Sequence, residues 1–290
     1  MPESSLPFDA ALQLLLTPWG LAVLGLCVGS FLNVVIHRTP LMLERSWKLE
    51  SAEMLGQPAE DIPPITLSRP ASRCPHCGHQ IRWFENIPLI SWLVLRGKCS
   101  ACSARISVRY PLVELATGAL FAAFGAHLGP APTTLLWCGF AAVLVAAAMI
   151  DWDTTLLPDD LTLPLLWAGL VSAALGWLPV SLPDAVWGAV AGYLSLWSVY
   201  WLFKLTTGKE GMGYGDFKLL AALGAWLGWS MILPVVLASS VIGAIIGIVM
   251  KVTGQLREGV YIPFGPFLAG AGLVVALAGK ATVLAWLGWA

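Results

Sequence analysis

The chain is 290 residues long, with 58% hydrophobic residues, 11% charged residues and a mean hydropathy of +0.77. A soluble domain carries about 25% charged residues, so this sequence has too few charges to cover a water-facing globule, and a soluble enzyme is excluded. Abundant apolar residues also exclude disorder. The formal net charge of −1 gives no indication of a nucleic-acid partner. The 15 Trp and 29 Gly are typical of a polytopic membrane protein, in which Trp lies at the interface and Gly lets helices approach closely.

Eight apolar runs predict an all-α polytopic membrane protein with about eight transmembrane helices, because a helix needs about 20 apolar residues to span the hydrocarbon. The runs are 19–36, 112–128, 134–150, 161–178, 185–203, 217–229, 231–250 and 264–287. The sixth is the shortest and is interpreted as a tilted, partly shielded or re-entrant segment. Gly25-x-x-x-Gly29 and Gly243-x-x-x-Gly247 are predicted to be packing faces. No Lys or Arg precedes the first run, which argues against a cleaved signal peptide.

The basic residues predict the orientation in the membrane. With eight crossings, the loops on one side hold all Lys and Arg except Lys280, so this side is predicted to be cytoplasmic and both termini lie outside. The longest of these loops is polar and predicts a small cytoplasmic domain between the first two helices, with a helix-like stretch at 44–60. The predicted organisation is 1–37 for the N-terminus and first helix, 38–110 for this domain, and 111–290 for a seven-helix membrane domain.

Two CxxC pairs in the inserted domain predict a metal site. Its ligands would be Cys74, Cys77, Cys99 and Cys102. Each pair can supply two thiolates, the two pairs together complete a tetrahedral shell, and the spacing is close to that of zinc sites. Four protein ligands leave no open position, so the zinc is predicted to be structural and to stabilise a domain with little core. Redox chemistry is the alternative, and His76 or His79 could substitute as a ligand.

Two acidic clusters lie at the predicted cytoplasmic ends of apolar runs. Asp151 adjoins the third run, and Asp216 ends a glycine-rich strip before the sixth. Carboxylates beside hydrocarbon are energetically unfavourable and mark functional positions. Two facing carboxylates can share one proton, so that one acts as base and the other as acid, as in aspartic proteases. Gly213 and Gly215 would let an extended substrate backbone come close.

Other interpretations of these acids remain open. Asp216 could be a helix N-cap, and a cap is the favoured interpretation of Asp159 or Asp160. Asp151-x-Asp153, together with Asp159 or Asp160, could bind Mg²⁺ in a metal-dependent membrane transferase. A proton-coupled transporter is the third possibility, but it predicts acids along a path across the bilayer, whereas both clusters are predicted on one side.

Several blocks of the sequence, taken in order, resemble the bacterial type IV prepilin peptidases, the bifunctional leader peptidase/N-methyltransferases. The blocks are 29–38, 74–77, 85–92, 96–102, 109–114, 150–159 and the GxGD motif at 213–216. The resemblance covers most of the chain and includes the four cysteines, which belong to the bifunctional type.

The resemblance implies a GxGD-type aspartic endopeptidase in the bacterial inner membrane, with periplasmic termini and an active site facing the cytoplasm. It would cut the basic leader from type IV prepilins and pseudopilins, then methylate the new N-terminal residue with S-adenosylmethionine. The family's catalytic aspartates map to Asp151 and Asp216, and residues tied to methyl transfer map to Gly97 and Lys98. The sequence contains no Rossmann glycine fingerprint, so motifs do not locate the cofactor. The oligomeric state is left open.

Overall fold

The computed structural model describes residues 12–57, 63–254 and 262–289. Within these residues all regular secondary structure is helical apart from two isolated β-bridges, which confirms the predicted all-α class. Residues 1–11, the beginning of the predicted N-terminal segment 1–37, lie outside the described residues. The chain divides into two compact units, Met1–Ala146 and Ala147–Ala290, and each is described by itself.

The first unit contains the inserted domain. In chain order its elements are α1 (Pro18–Met54), a 3-10 turn (Trp83–Asn86), α2 (Ile90–Val94), α3 (Arg109–Leu128) and the first part of α4 (Pro132–Thr154). The second unit contains the end of α4, then α5 (Asp159–Ala174), α6 (Leu182–Thr207), α7 (Tyr214–Leu227), a 3-10 turn (Trp229–Met231), α8 (Ile232–Val252), α9 (Gly265–Ala278) and α10 (Lys280–Trp286).

Helices lie at all eight predicted positions, but not all of them are long enough to span a membrane. Within the described residues, five spans have sufficient length and apolarity, namely α1, α3, α4, α6 and the segment Trp229–Val252; α9 and α10 form a sixth if counted as one span bent by 108°. Helices α5 and α7 have 16 and 14 residues. At 1.5 Å per residue these are about 24 and 21 Å long, shorter than the roughly 30 Å hydrocarbon core.

Helix α1 is longer than the sequence predicts. It runs for 37 residues through Pro40 and ends at Met54. The first part of the helix-like stretch predicted at 44–60 is therefore a continuation of the first membrane helix and not a separate element. A proline removes one backbone hydrogen bond from a helix, but here the surroundings fix the chain. The buried Arg38 guanidinium donates to the carbonyl oxygens of Thr66 and Pro70, at 2.8 and 2.6 Å. This tertiary anchoring outweighs the local break.

Glycines allow α1 and α3 to pack closely. A Cβ atom added at Gly25 would lie 2.8 Å from Gly118 Cα, and one added at Gly29 would lie 2.7 Å from Glu114 Cα. Real Cβ atoms do not approach backbone this closely, so larger residues would force the helices apart. The predicted packing face of α1 is therefore confirmed.

Helix α7 lies at the centre of the second unit. Nearly all of its residues from Asp216 to Leu227 are buried, and it packs against α5, α6 and α9. The Trp226 indole N–H donates to the Leu165 carbonyl oxygen of α5 at 2.8 Å. Because neighbouring helices rather than lipid surround α7, its short length is tolerated. The shielded interpretation of the sixth run is confirmed, and α7 places Asp216 inside the protein.

Candidate active site and metal centre

Two buried carboxylates lie at helix ends in the second unit. Asp151 is in the last turn of α4 and is 4% exposed, and Asp216 is in the first turn of α7 and is 6% exposed. Aspartate is almost never this buried unless it is paired. The structure therefore buries both predicted aspartates at helix ends.

Asp151 is held by the first residue of α9. The Gly265 backbone N–H donates to Asp151 Oδ2 at 2.9 Å, and the N-terminus of a helix favours a negative charge. A Cβ atom added at Gly265 would lie 2.5 Å from the same oxygen, so a side chain at this position would force the Asp151 carboxylate or the helix to move. Gly265 was not predicted from the sequence as a site residue. Gly265-Pro266 stands at the start of an apolar run, and Pro in the first turn is a common way to begin a helix, so the sequence did indicate a helix N-terminus at this position.

Asp216 lacks a complete set of partners. Its Oδ1 atom is buried and has no hydrogen-bond partner within the part of the chain that the structure describes. Its backbone N–H bonds to the Gly213 carbonyl oxygen at 3.3 Å, and Gly213 is the N-cap of α7. Asp216 is therefore not the cap itself. A buried polar atom without a partner costs about 1–3 kcal/mol and calls for an explanation such as catalysis.

Leu157 packs against a glycine next to each of the two acids. A Cβ atom added at Gly215 would lie 2.5 Å from Leu157 Cβ, and one added at Gly265 would lie 3.1 Å from Leu157 Cδ1. Leu157 thus contacts both the glycine beside Asp216 and the glycine bonded to Asp151. The structure therefore gathers the two predicted acids around one leucine.

The remaining acids of the first cluster have other positions. Pro158 is the N-cap of α5, so the favoured cap interpretation of Asp159 or Asp160 is wrong, and both lie in the first turn. Asp159 forms an ion pair with Lys218 of α7, with Nζ–O distances of 2.6 and 2.8 Å. Among the described residues, only the four cysteines form a group of three or more His, Cys, Asp or Glu that could hold a metal. This does not favour a Mg²⁺ site that includes Asp153.

A polar and aromatic network holds the glycine-rich strip 211–216, which ends at Asp216. The Lys204 ammonium donates to Glu210 Oε1 at 2.7 Å and to the Tyr200 hydroxyl at 3.1 Å. The hydrogen bond to Lys204 lowers the pKa of Glu210. The Tyr214 hydroxyl lies 3.5 Å from that of Tyr200, and their rings pack with centroids 5.2 Å apart. These contacts fix the strip to α6, and so position the start of α7.

The four cysteines of the inserted domain come together as predicted. Their sulfur atoms all lie within 4.8 Å of one another; Sγ–Sγ distances are 3.8 Å for Cys74–Cys102 and 4.0 Å for Cys77–Cys99. Tetrahedral zinc with bonds of about 2.3 Å requires sulfur atoms about 3.8 Å apart. The cluster therefore fits a metal ion. His79 is engaged elsewhere, since its Nε2 lies 3.1 Å from Glu85 Oε2.

Gly97 and Lys98 lie in the connection between α2 and the second cysteine pair. Gly97 has φ +65°, and a Cβ atom there would lie 2.9 Å from the Trp92 ring. Its carbonyl oxygen accepts from the Ile106 N–H at 2.7 Å. Lys98 forms an isolated antiparallel bridge with Arg105. The glycine is thus required by the backbone and by close packing, and it shapes the approach to Cys99.

Glu114 connects the inserted domain to a membrane helix. It is 8% exposed in the second turn of α3, and its Oε2 accepts from the Leu89 N–H at 2.8 Å. Leu89 precedes α2 and has φ 58°, a conformation that non-glycine residues rarely adopt. The buried carboxylate therefore supports a strained residue where α2 begins.

The fold and site define a polytopic helical membrane protein with two buried aspartates at helix ends and an inserted four-cysteine domain. Residues 23–128 match the family model described as the bacterial peptidase A24 N-terminal domain, and 138–248 match that of the Type IV leader peptidase family. No solved structure matches the chain.

Curated relatives agree with these matches, and all three that follow are named prepilin leader peptidase/N-methyltransferase. The relative from Stutzerimonas stutzeri is 57% identical over 274 residues, covering 92% of this chain and 93% of that protein. That from Pseudomonas aeruginosa is 53% identical over 274 residues, 92% of each chain, and that from Aeromonas hydrophila is 56% identical over 257 residues, 88% of each. The chain belongs to the Type IV leader peptidase family, which confirms the resemblance.

Proposed function

We propose that this protein is a membrane-embedded aspartic endopeptidase that removes the leader peptide from type IV prepilins and pseudopilins, and that it then methylates the new N-terminal residue. The family and the curated relatives support both activities. The observation that carries the peptidase proposal is the pair of buried acids around Leu157, Asp151 held by a backbone N–H and Asp216 with an oxygen that lacks a partner among the described residues.

The chemistry needs the two carboxylates in different protonation states. The ionised one takes a proton from water as the water oxygen attacks the scissile carbonyl carbon, and the neutral one donates its proton to the carbonyl oxygen. When the tetrahedral intermediate collapses, the C–N bond breaks and the leaving amine takes up the proton that the first carboxylate had removed from water. The second carboxylate takes back a proton from a hydroxyl of the intermediate as the carbonyl re-forms, which restores both starting protonation states. Two carboxylates at close range favour this state, because both cannot ionise together.

The location we propose for the site is the cytoplasmic face of the inner membrane, with both termini periplasmic. The distribution of Lys and Arg supports this orientation. A prepilin that keeps its apolar N-terminal helix in the bilayer and its basic leader in the cytoplasm presents the scissile bond at this interface. Within this scheme residues 111–290 carry cleavage and residues 38–110 carry the residues for methyl transfer.

Methyl transfer requires a donor and a folded inserted domain. S-adenosylmethionine supplies an electrophilic methyl group when bound. We assign structural zinc to the four cysteines, because their spacing fits a closed tetrahedral shell, and we assign Gly97 and Lys98 to the cofactor side. The positive φ of Gly97 and its packing on Trp92 support a role in shaping that side of the domain.

Cleavage of a purified prepilin by two conservative variants tests the peptidase proposal. Asp151→Asn and Asp216→Asn each keep the size of the side chain but remove acid and base function, so each is expected to lower the cleavage rate at least about 100-fold. Asp153→Asn, on the same helix as Asp151, is the matched control and should cleave like the unmodified protein. Near-normal cleavage by either of the first two variants would reject the dyad.

A further inference from the structure

A cavity in the inserted domain is used by none of the cleavage chemistry. It has a volume of about 620 Å³ and lies between α2, the Trp83–Asn86 turn and the second cysteine pair, entirely within the first unit. Pockets for small molecules commonly have volumes of about 300–1,000 Å³ and combine apolar walls with a few placed polar groups. Its lining includes Arg82, Phe84, Glu85, Ile90, Val94 and Ser100.

Glu85 gives the cavity a fixed negative charge. Its side chain is 9% exposed, and its carboxylate accepts from the Arg82 backbone N–H at 2.8 Å and from the Ser100 hydroxyl at 2.5 Å. The same carboxylate lies 3.1 Å from His79 Nε2. These bonds, that from the Arg82 N–H above all, lower the pKa of Glu85 to about 2. The carboxylate is therefore ionised and oriented before any ligand arrives.

The wall of the cavity that α2 contributes is apolar. Ile90 and Val94 line the cavity and are 59% and 74% exposed, and Phe84 is 45% exposed. The Arg82 guanidinium lies 5.8 Å from the centroid of the Phe84 ring. An apolar wall with one aromatic ring, beside one anion and one cation, suits a ligand that has a flat apolar group and separated charges.

We infer that this cavity is the binding site for S-adenosylmethionine, an inference that rests on the proposed methyl transfer. The ligand's positively charged sulfonium and ammonium groups complement Glu85, its carboxylate complements the Arg82 guanidinium, and its adenine ring fits the wall of Phe84, Ile90 and Val94. Ser100 lies between Cys99 and Cys102 and bonds to Glu85. The cysteine cluster therefore fixes one wall of the donor site, which gives the metal domain a direct part in methylation.

The first test fills the cavity in the full-length protein. Val94→Trp places an indole among the lining residues, whereas Leu93→Trp makes the same change at a neighbouring position that is 66% exposed and lies outside the lining set. The Kd for S-adenosylmethionine, measured by calorimetry, is expected to rise at least tenfold for Val94→Trp and to stay unchanged for Leu93→Trp. Zinc content and prepilin cleavage should be normal in both. An unchanged Kd for Val94→Trp with normal zinc content would overturn the inference.

The second test compares two ligands at Glu85. S-adenosylhomocysteine lacks the sulfonium charge, so Glu85→Gln is expected to weaken binding of S-adenosylmethionine several-fold more than binding of S-adenosylhomocysteine. The ratio of the two Kd values would stay the same if Glu85 only supported the fold. Equal weakening of both ligands would overturn the assignment of Glu85 to the sulfonium.

A third measurement needs no variant and separates the failures. Ultraviolet cross-linking of radiolabelled S-adenosylmethionine to the unmodified protein should label the segment 82–101, and label confined to 147–290 would overturn the location. If the unmodified protein binds and transfers methyl but is labelled elsewhere, only this inference fails. If it neither binds the donor nor methylates cleaved pilin, the proposed methyl transfer itself fails.

Discussion

Gly265→Ala tests whether the start of α9 positions Asp151 in the proposed catalytic pair. The added Cβ atom would lie 2.5 Å from Asp151 Oδ2 and 3.1 Å from Leu157 Cδ1. Ordinary contact begins near 3.4 Å, so the carboxylate or the helix must move by roughly 0.9 Å, which also disturbs the 2.9 Å bond from the Gly265 N–H. A misplacement of about 1 Å can lower an enzymatic rate about 100-fold, and we expect a loss of that order in prepilin cleavage.

The assay follows cleavage of a purified prepilin by mass spectrometry, alongside methylation of an already cleaved pilin. Methylation should be unchanged, because the inserted domain belongs to the other unit. Gly270→Ala is the matched control, since a Cβ atom at that position on the same helix meets nothing within 4 Å. If Gly265→Ala cleaves as fast as Gly270→Ala, then the contact between α9 and Asp151 does not position the site.

Three other changes test the inserted domain and the strip before α7. Replacing Cys74 and Cys99 by Ser should release the metal, as measured by elemental analysis, and abolish methylation while part of the cleavage activity survives; methylation without metal would contradict a structural zinc site. Gly97→Ala should lower methylation and the thermal stability of the domain more than Gly78→Ala, because both glycines have positive φ but only Gly97 packs on the Trp92 ring. Equal effects of the two substitutions would show that packing on Trp92 is unimportant. Glu210→Gln should lower kcat for cleavage several-fold without affecting methylation, since it weakens an ion pair that holds the strip, and an unchanged kcat would show that the pair is dispensable.

The helical class and the metal cluster could be predicted because they rest on local patterns. Long apolar runs identify membrane helices by composition, and a pair of CxxC turns brings four thiols together at a distance that thiolate chemistry fixes. The four cysteines accordingly lie where the spacing predicts. The GxGD motif also lies at the start of a helix as expected, with Gly213 as the N-cap of α7.

The features that the sequence did not predict depend on contacts between distant segments. Gly265 is 114 residues from Asp151 along the chain, so no local pattern links them. Pro40 normally ends a helix, yet α1 continues because Arg38 is bonded to a distant loop. Helix α7 is shorter than a full membrane span, and this is tolerated because neighbouring helices, not lipid, cover it. Such tertiary compensation is not visible in periodicity or composition.

Asp151 and Asp216 are proposed to act as one catalytic unit, and the decisive experiment is a double-variant cycle of prepilin cleavage. If the acids share one chemical step, Asp151→Asn, Asp216→Asn and the double variant should all fall to the same residual rate, about 10³-fold below the unmodified protein. Losses that multiply in the double variant, or a rate in either single variant close to that of the unmodified protein, would contradict it.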